Sequence, residues 1–259
     1  MTRRRVPAIL AIALAFVAAA CSAAEPSGPL DTGALSSALP TEETPGGEST
    51  APEDTGAVSS SIPGFEGWRT VDAVAVDIGQ TQAGFGMTLL KRAEWSGTSR
   101  GVLFFTTMDG DFRLTATIRT RRTSDSSQGP GGDGTTQLAG LMVRSEGTGD
   151  SWVVLEIGGG PTGLVVATDS TTRGAGRLVA SAWNDNEADL KVCRTGTTFT
   201  FWKRAADSDD DWTSVGRVER ADLHGSVEVG ADLSANATPD LTALFDNLTL
   251  ERMDPGEAC

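Results

Sequence analysis

Arg144, Trp152, Glu156, Lys191 and Trp202 are the residue types that hold small polar ligands: flat indoles, and charged groups that hydrogen-bond hydroxyls. Trp152 and Glu156 stand four apart in an alternating stretch, so in a strand they share a face. Arg144 ends the stretch before it, and Lys191 and Trp202 lie on the two arms of a later hairpin. Gathered on one outward, concave face, the five would stack a sugar ring and hydrogen-bond its hydroxyls. The competing reading makes Trp152 and Trp202 structural aromatics that cover a sheet edge. Trp183, in the polar run Ala182–Asn186, is either a loop platform for the same ligand or an anchor tucked under the domain.

Catalytic chemistry has less to stand on. His224 is the only histidine, and no nucleophile-elbow motif accompanies it. Nor is there an E-x-D-x-x-E arrangement from which to assign the carboxylate pair of a retaining glycosidase. The densest acidic run, Asp207 with Asp209, Asp210 and Asp211, lacks the central Gly and closing Glu of an EF-hand. It reads as a solvated hairpin tip. The expectation is a protein that is not an enzyme, with a divergent glycosidase as the remaining alternative.

These side chains need strands to position them. Gln137–Arg144 and Trp152–Ile157 read as a strand pair, with Val153, Leu155 and Ile157 on one face and Trp152, Val154 and Glu156 on the other. Phe112–Thr120 alternates the same way. Thr195-Gly196 marks a hairpin between Ala188–Arg194 and Thr197–Lys203. Further short runs lie at 70–76, 87–91, 101–106, 164–168, 178–182, 212–218, 225–233 and 241–252, and no stretch sustains helical periodicity. Many short strands without helices make an all-β, two-sheet antiparallel jelly-roll sandwich.

Ahead of the strands lie two segments of other character. Residues 1–20 carry Arg3, Arg4 and Arg5 and then an apolar run, the pattern of an export signal. The junction Ala18-Ala19-Ala20-Cys21 resembles a bacterial lipobox, with Ala18 where Leu is usual. That resemblance implies a lipidated Cys21 and an extracytoplasmic protein anchored to the cell membrane; the alternative is an ordinary secretory signal. Residues 21–62 are rich in Ser, Pro, Gly, Thr and acids, with no aromatic residue and no Lys or Arg. Such a segment buries too little apolar surface to offset its ordering entropy, so a disordered tether with a span of roughly 35 Å is expected. Residues 63–259 then form one domain.

Composition narrows the partners. The formal charge is −14, and −17 once the three signal arginines are removed. A chain this acidic is a poor match for nucleic acid. With Cys21 lipidated, Cys193 and Cys259 are the remaining cysteines; outside the cytoplasm a pair usually closes, and the alternative is two free thiols.

In order along the chain, Gly110–Ile118, Gln137–Gly158, Asp189–Arg204, Asp211–Val218, Val227–Ala235 and Leu244–Glu251 resemble the concanavalin A-like jelly roll of the DUF1349 type. That group is related to laminin-G-like and β-xylosidase C-terminal domains. The resemblance implies a twisted sandwich associated with carbohydrate, so a glycan or envelope polysaccharide is the expected ligand and a protein partner the alternative. The chain departs from the pattern in having no tyrosine and no attached glycosidase module. The resemblance also implies a possible structural calcium at Asp246, with Glu66 or Asp72 as partner. Against it stands a reading in which Asp246 hydrogen-bonds backbone amides at a bulge.

Overall fold

The computed structural model describes residues 62–259, apart from 98, 99, 133 and 255; the export signal, Cys21 and the tether lie outside the described residues. The described chain is an antiparallel sandwich of two seven-stranded sheets. The first sheet runs β1 (Arg69–Val71), β4 (Val102–Met108), β13 (Val227–Ala235), β6 (Gln137–Ser145), β7 (Trp152–Gly160), β8 (Gly163–Thr172) and β9 (Ala175–Ala182). The second runs β12 (Thr213–Glu219), β11 (Thr198–Arg204), β10 (Glu187–Thr195), β5 (Phe112–Arg121), β14 (Thr242–Arg252), β3 (Gly84–Leu89) and β2 (Val76–Gln80).

Alternation builds the space between the sheets. Val153, Leu155 and Ile157 of β7 face Leu114, Ala116 and Ile118 of β5 and Leu190 and Val192 of β10 within one buried cluster. Phe85, Phe104 and Phe245 pack at its centre, with Phe85 stacked on Phe245 at 5.2 Å between ring centroids. Each such side chain contributes about 1.5–3 kcal/mol through burial. The β10–β11 hairpin forms as its sequence suggests. Its two-residue turn is Gly196-Thr197, one place later than expected, because Thr195 pairs with Thr198 and Gly196 takes the positive φ.

The outer face of the first sheet departs from expectation. A mixed, solvent-facing surface was expected there, yet all nine residues of β7 are buried. The reason is a second apolar layer. Trp95, from the segment between β3 and β4, closes over Leu103, Phe105, Met142, Trp152 and Val154. Its ring lies 5.6 Å from that of Trp152.

Candidate functional site

The five side chains expected to share a patch fall on opposite sides of the sandwich. Arg144, Trp152 and Glu156 point outward from the first sheet and are buried there. Arg144 Nε donates to Glu228 Oε2 at 2.7 Å, and Trp152 Nε1 donates to Asp169 Oδ2 at 3.0 Å. Lys191 and Trp202 are neighbours on β10 and β11 in the second sheet. The strand parity was read correctly; the sheet membership was not, and one patch cannot hold all five.

The second sheet's outer face carries the open site. Asp189 on β10 is fixed by Thr117 Oγ1, which donates to Oδ1 at 2.7 Å, and by Arg204 Nε, which donates to Oδ2 at 2.8 Å. Beside it lies a recess of about 310 Å³ lined by Thr117, Asp189, Arg204, Asp207, Ser208 and Asn247. Two bulges flank it. One inserts an extra residue into β12 opposite Phe201 and Trp202, and the other inserts one into β14 after Asp246. Bulges bend a strand and re-aim its side chains, and they gather next to binding sites. Asp207 and Asn247, both on the recess wall, hold φ of 53° and 54°. Asp and Asn tolerate that left-handed conformation better than other side chains do.

Aromatic surface adjoins the recess. The Arg204 guanidinium lies 4.7 Å from the Trp212 ring centroid, and Lys191 Nζ lies 4.5 Å from Trp212 and 5.4 Å from Trp202. Trp212 is half-buried, so part of its indole meets solvent. Burial pushes the Lys191 ammonium down, and the nearby Arg113 and Arg204 push it the same way. At the far wall Arg119 binds Asp207, Asp246 and Glu187. Burial opposes its charge, but those carboxylates outweigh burial and hold it above its ordinary range.

The remaining expected residues lie elsewhere. Trp183 packs its partly buried ring against the main core, donates Nε1 to Glu187 O at 3.1 Å, and carries Lys203 Nζ 4.2 Å from its centroid. It is a loop anchor with one cation on it. For calcium the donors do not assemble. Asp246 is taken by Arg119, Asp72 pairs with Lys91 at 3.1 Å, and Glu66 Oε1 accepts from Gly64 N at 3.1 Å. Among the described residues no three His, Cys, Asp or Glu side chains are grouped to hold a metal ion. Cys193 and Cys259 are joined as a disulfide, with Cα atoms 5.9 Å apart.

Sequence reasoning missed Trp212 and Arg204 as site residues. It read the acidic run beside them only as a hairpin tip. The available signal was parity: Arg204 and Asp189 pair across the β10–β11 hairpin, two steps from Trp202 and Lys191.

No family model matches the chain, and no curated protein matches it in sequence. Solved structures do. A functionally unknown protein from Saccharomyces cerevisiae aligns with a TM-score of 0.54 at 16% identity, over 68% of this chain and 92% of that one. The Bacteroides ovatus xyloglucan PUL GH43B aligns at 0.52 and 15% identity, over 77% of this chain and 39% of that one. The fold is an all-β, two-sheet antiparallel sandwich of jelly-roll type. A carbohydrate binding module, CBM66 from Bacillus subtilis, aligns at 0.45 and 19% identity, over 71% of this chain and 95% of that one. At these identities the likeness to the first two is one of fold alone.

Proposed function

We propose that this is a non-catalytic surface lipoprotein of the DUF1349 type, held at the membrane by Cys21, whose jelly roll binds a glycan or a glycan-bearing envelope component. The recess beside Trp212 carries the reading. Sugar recognition needs an apolar ring face next to a few polar groups fixed in direction, and here Asp189, Arg204 and Thr117 are locked by one another beside an indole. On the first sheet Trp152 and Glu156 are buried, which removes them from any such surface.

The test is binding of the protein to a panel of polysaccharides and envelope glycans, with and without calcium. Trp212→Ala and Asn247→Gly are the informative variants; glycine keeps the positive φ at 247 while deleting the amide. Binding to one glycan class that falls at least tenfold in both variants, with unchanged melting temperature, is the expected result. The anchor has its own measurement: Cys21→Ser moves the protein from the membrane fraction to the soluble fraction.

A second reading has one observation in its favour. All eight residues of the edge strand β9 are exposed, with Leu178 and Val179 each about half exposed. An open strand edge accepts a strand from another chain. Silence across the glycan panel moves the weight to a protein partner there.

A further inference from the structure

On the buried outer face of the first sheet, Asp232 of β13 pairs with Gly140 of β6, and Gly140 pairs with Glu156 of β7. The two acids are thus two strands apart with a glycine between them. Gly140 is required there: a Cβ would stand 2.1 Å from the Leu155 carbonyl oxygen and 2.7 Å from both Cα and Cγ of Glu156. Across that position lies Asp232, whose charge bears on the Glu156 carboxyl. Asp232 is fully buried and Glu156 nearly so. Both oxygens of Asp232, Oε1 of Glu156 and Oδ1 of the neighbouring Asp169 are buried without a hydrogen-bond partner.

Neighbouring charges offer no relief. On β8, Asp169 adds a third negative group and is already satisfied at Oδ2 by Trp152 and Thr171. Arg144 of β6 is bound to Glu228 of β13, four residues along each strand from the acid pair, and Arg69 of β1 lies 4.7 Å from the Phe105 ring centroid. The covering segment contributes Arg92 and Glu94, paired with each other, and Arg100, which reaches the Thr148 and Gly149 carbonyls. β4 presents Leu103 and Phe105. Two carboxylates in contact in an apolar layer cannot both stay ionised.

We propose that Glu156 and Asp232 share a proton across Gly140 and form a pH-set latch that ties β7 to β13 beneath Trp95. With the proton in place, one carboxyl donates to the other and both strands are joined. Loss of the proton leaves two repelling anions with no counter-ion, and the apolar layer under Trp95 loosens. Burial pushes the Glu156 carboxyl well up, and the charges of Asp232 and Asp169 push it further. Burial likewise takes Asp232 to about 7, against the lowering effect of its hydrogen bond with Glu156.

Both groups bind protons more tightly in the folded chain than in the unfolded one. The stabilisation from Asp232 is full below the ordinary carboxylate range and is lost as pH rises to about 7, while the last proton, held with Glu156, leaves at higher pH. While one proton is being released, the folding equilibrium falls roughly tenfold per pH unit.

Thermal and urea unfolding of the full chain from pH 5 to pH 9 tests this, with Asp232→Asn, Glu156→Gln and the double variant alongside. An amide donates permanently to the remaining carboxylate, so the expected result is a steep loss of stability from pH 5 to about 7 in the wild type that continues less steeply above it, a shallower loss in each single variant, and a flat profile in the double variant. A second readout does not depend on how the variants fold. In the folded wild type at pH 6.0, roughly one unit below the Asp232 transition, infrared difference spectra show a protonated carboxylic-acid carbonyl band that disappears in the double variant. An absent band in the wild type, or an unchanged pH slope in all variants, overturns the latch.

Discussion

Arg144 is the residue whose type and position mislead most. In the sequence it has the look of a ligand-binding cation; in the fold it is a buried counter-ion for Glu228. That role carries a sharp consequence. Arg144→Met leaves the Glu228 carboxylate buried with no cation and costs about 3–5 kcal/mol in urea unfolding. Arg144→Met with Glu228→Leu recovers most of the loss, because replacing a whole buried pair by apolar residues is close to neutral. A glycan-binding role for Arg144 predicts neither the size of the loss nor the rescue. Gly140 illustrates the same dependence on neighbours. Its space is legible in the sequence only as a glycine inside a strand, a general sign of close approach.

At the level of elements, strand parity was readable and strand neighbours were not. Period-two alternation marks which residues of β7 share a face, since side chains of a strand must point alternately to either side. What covers that face depends on Trp95, whose surrounding sequence has no alternation to mark it as a lid over the sheet. The recess was hidden for the same reason. It needs β10, β11 and β14 side by side, and β14 joins them through β5. The disulfide is the element-scale constraint that composition did suggest. It ties the C-terminal segment to β10 across a sequence separation of 66, and Arg113 adds contacts to Glu257 and Ala258. Closing a loop of that length contributes about 4 kcal/mol in the chain-entropy picture. Cys259→Ser is expected to lower stability by up to about that amount. Hydrogen exchange should show protection lost over residues 256–259 first and retained in β10 and β5.

The molecule as a whole is two sheets whose middles are filled late. In the first sheet β13 sits between β4 and β6, and in the second β14 sits between β5 and β3. Fold class was legible because repeated short alternating runs with turn residues between them have few architectures open to them. The order of strands was not, because pairings such as Phe85 with Phe245 join positions that no local pattern relates. The same arrangement has a consequence for timing. A chain fed N-terminus first through any narrow opening has β4 and β6 in hand, but no bridge between them, until Val227 onward has passed. The second sheet waits longer still, for Thr242–Arg252, and the covalent tie at Cys259 comes after both. A chain threaded in this way therefore gains its two central strands and its covalent tie one after another, all within its last stretch.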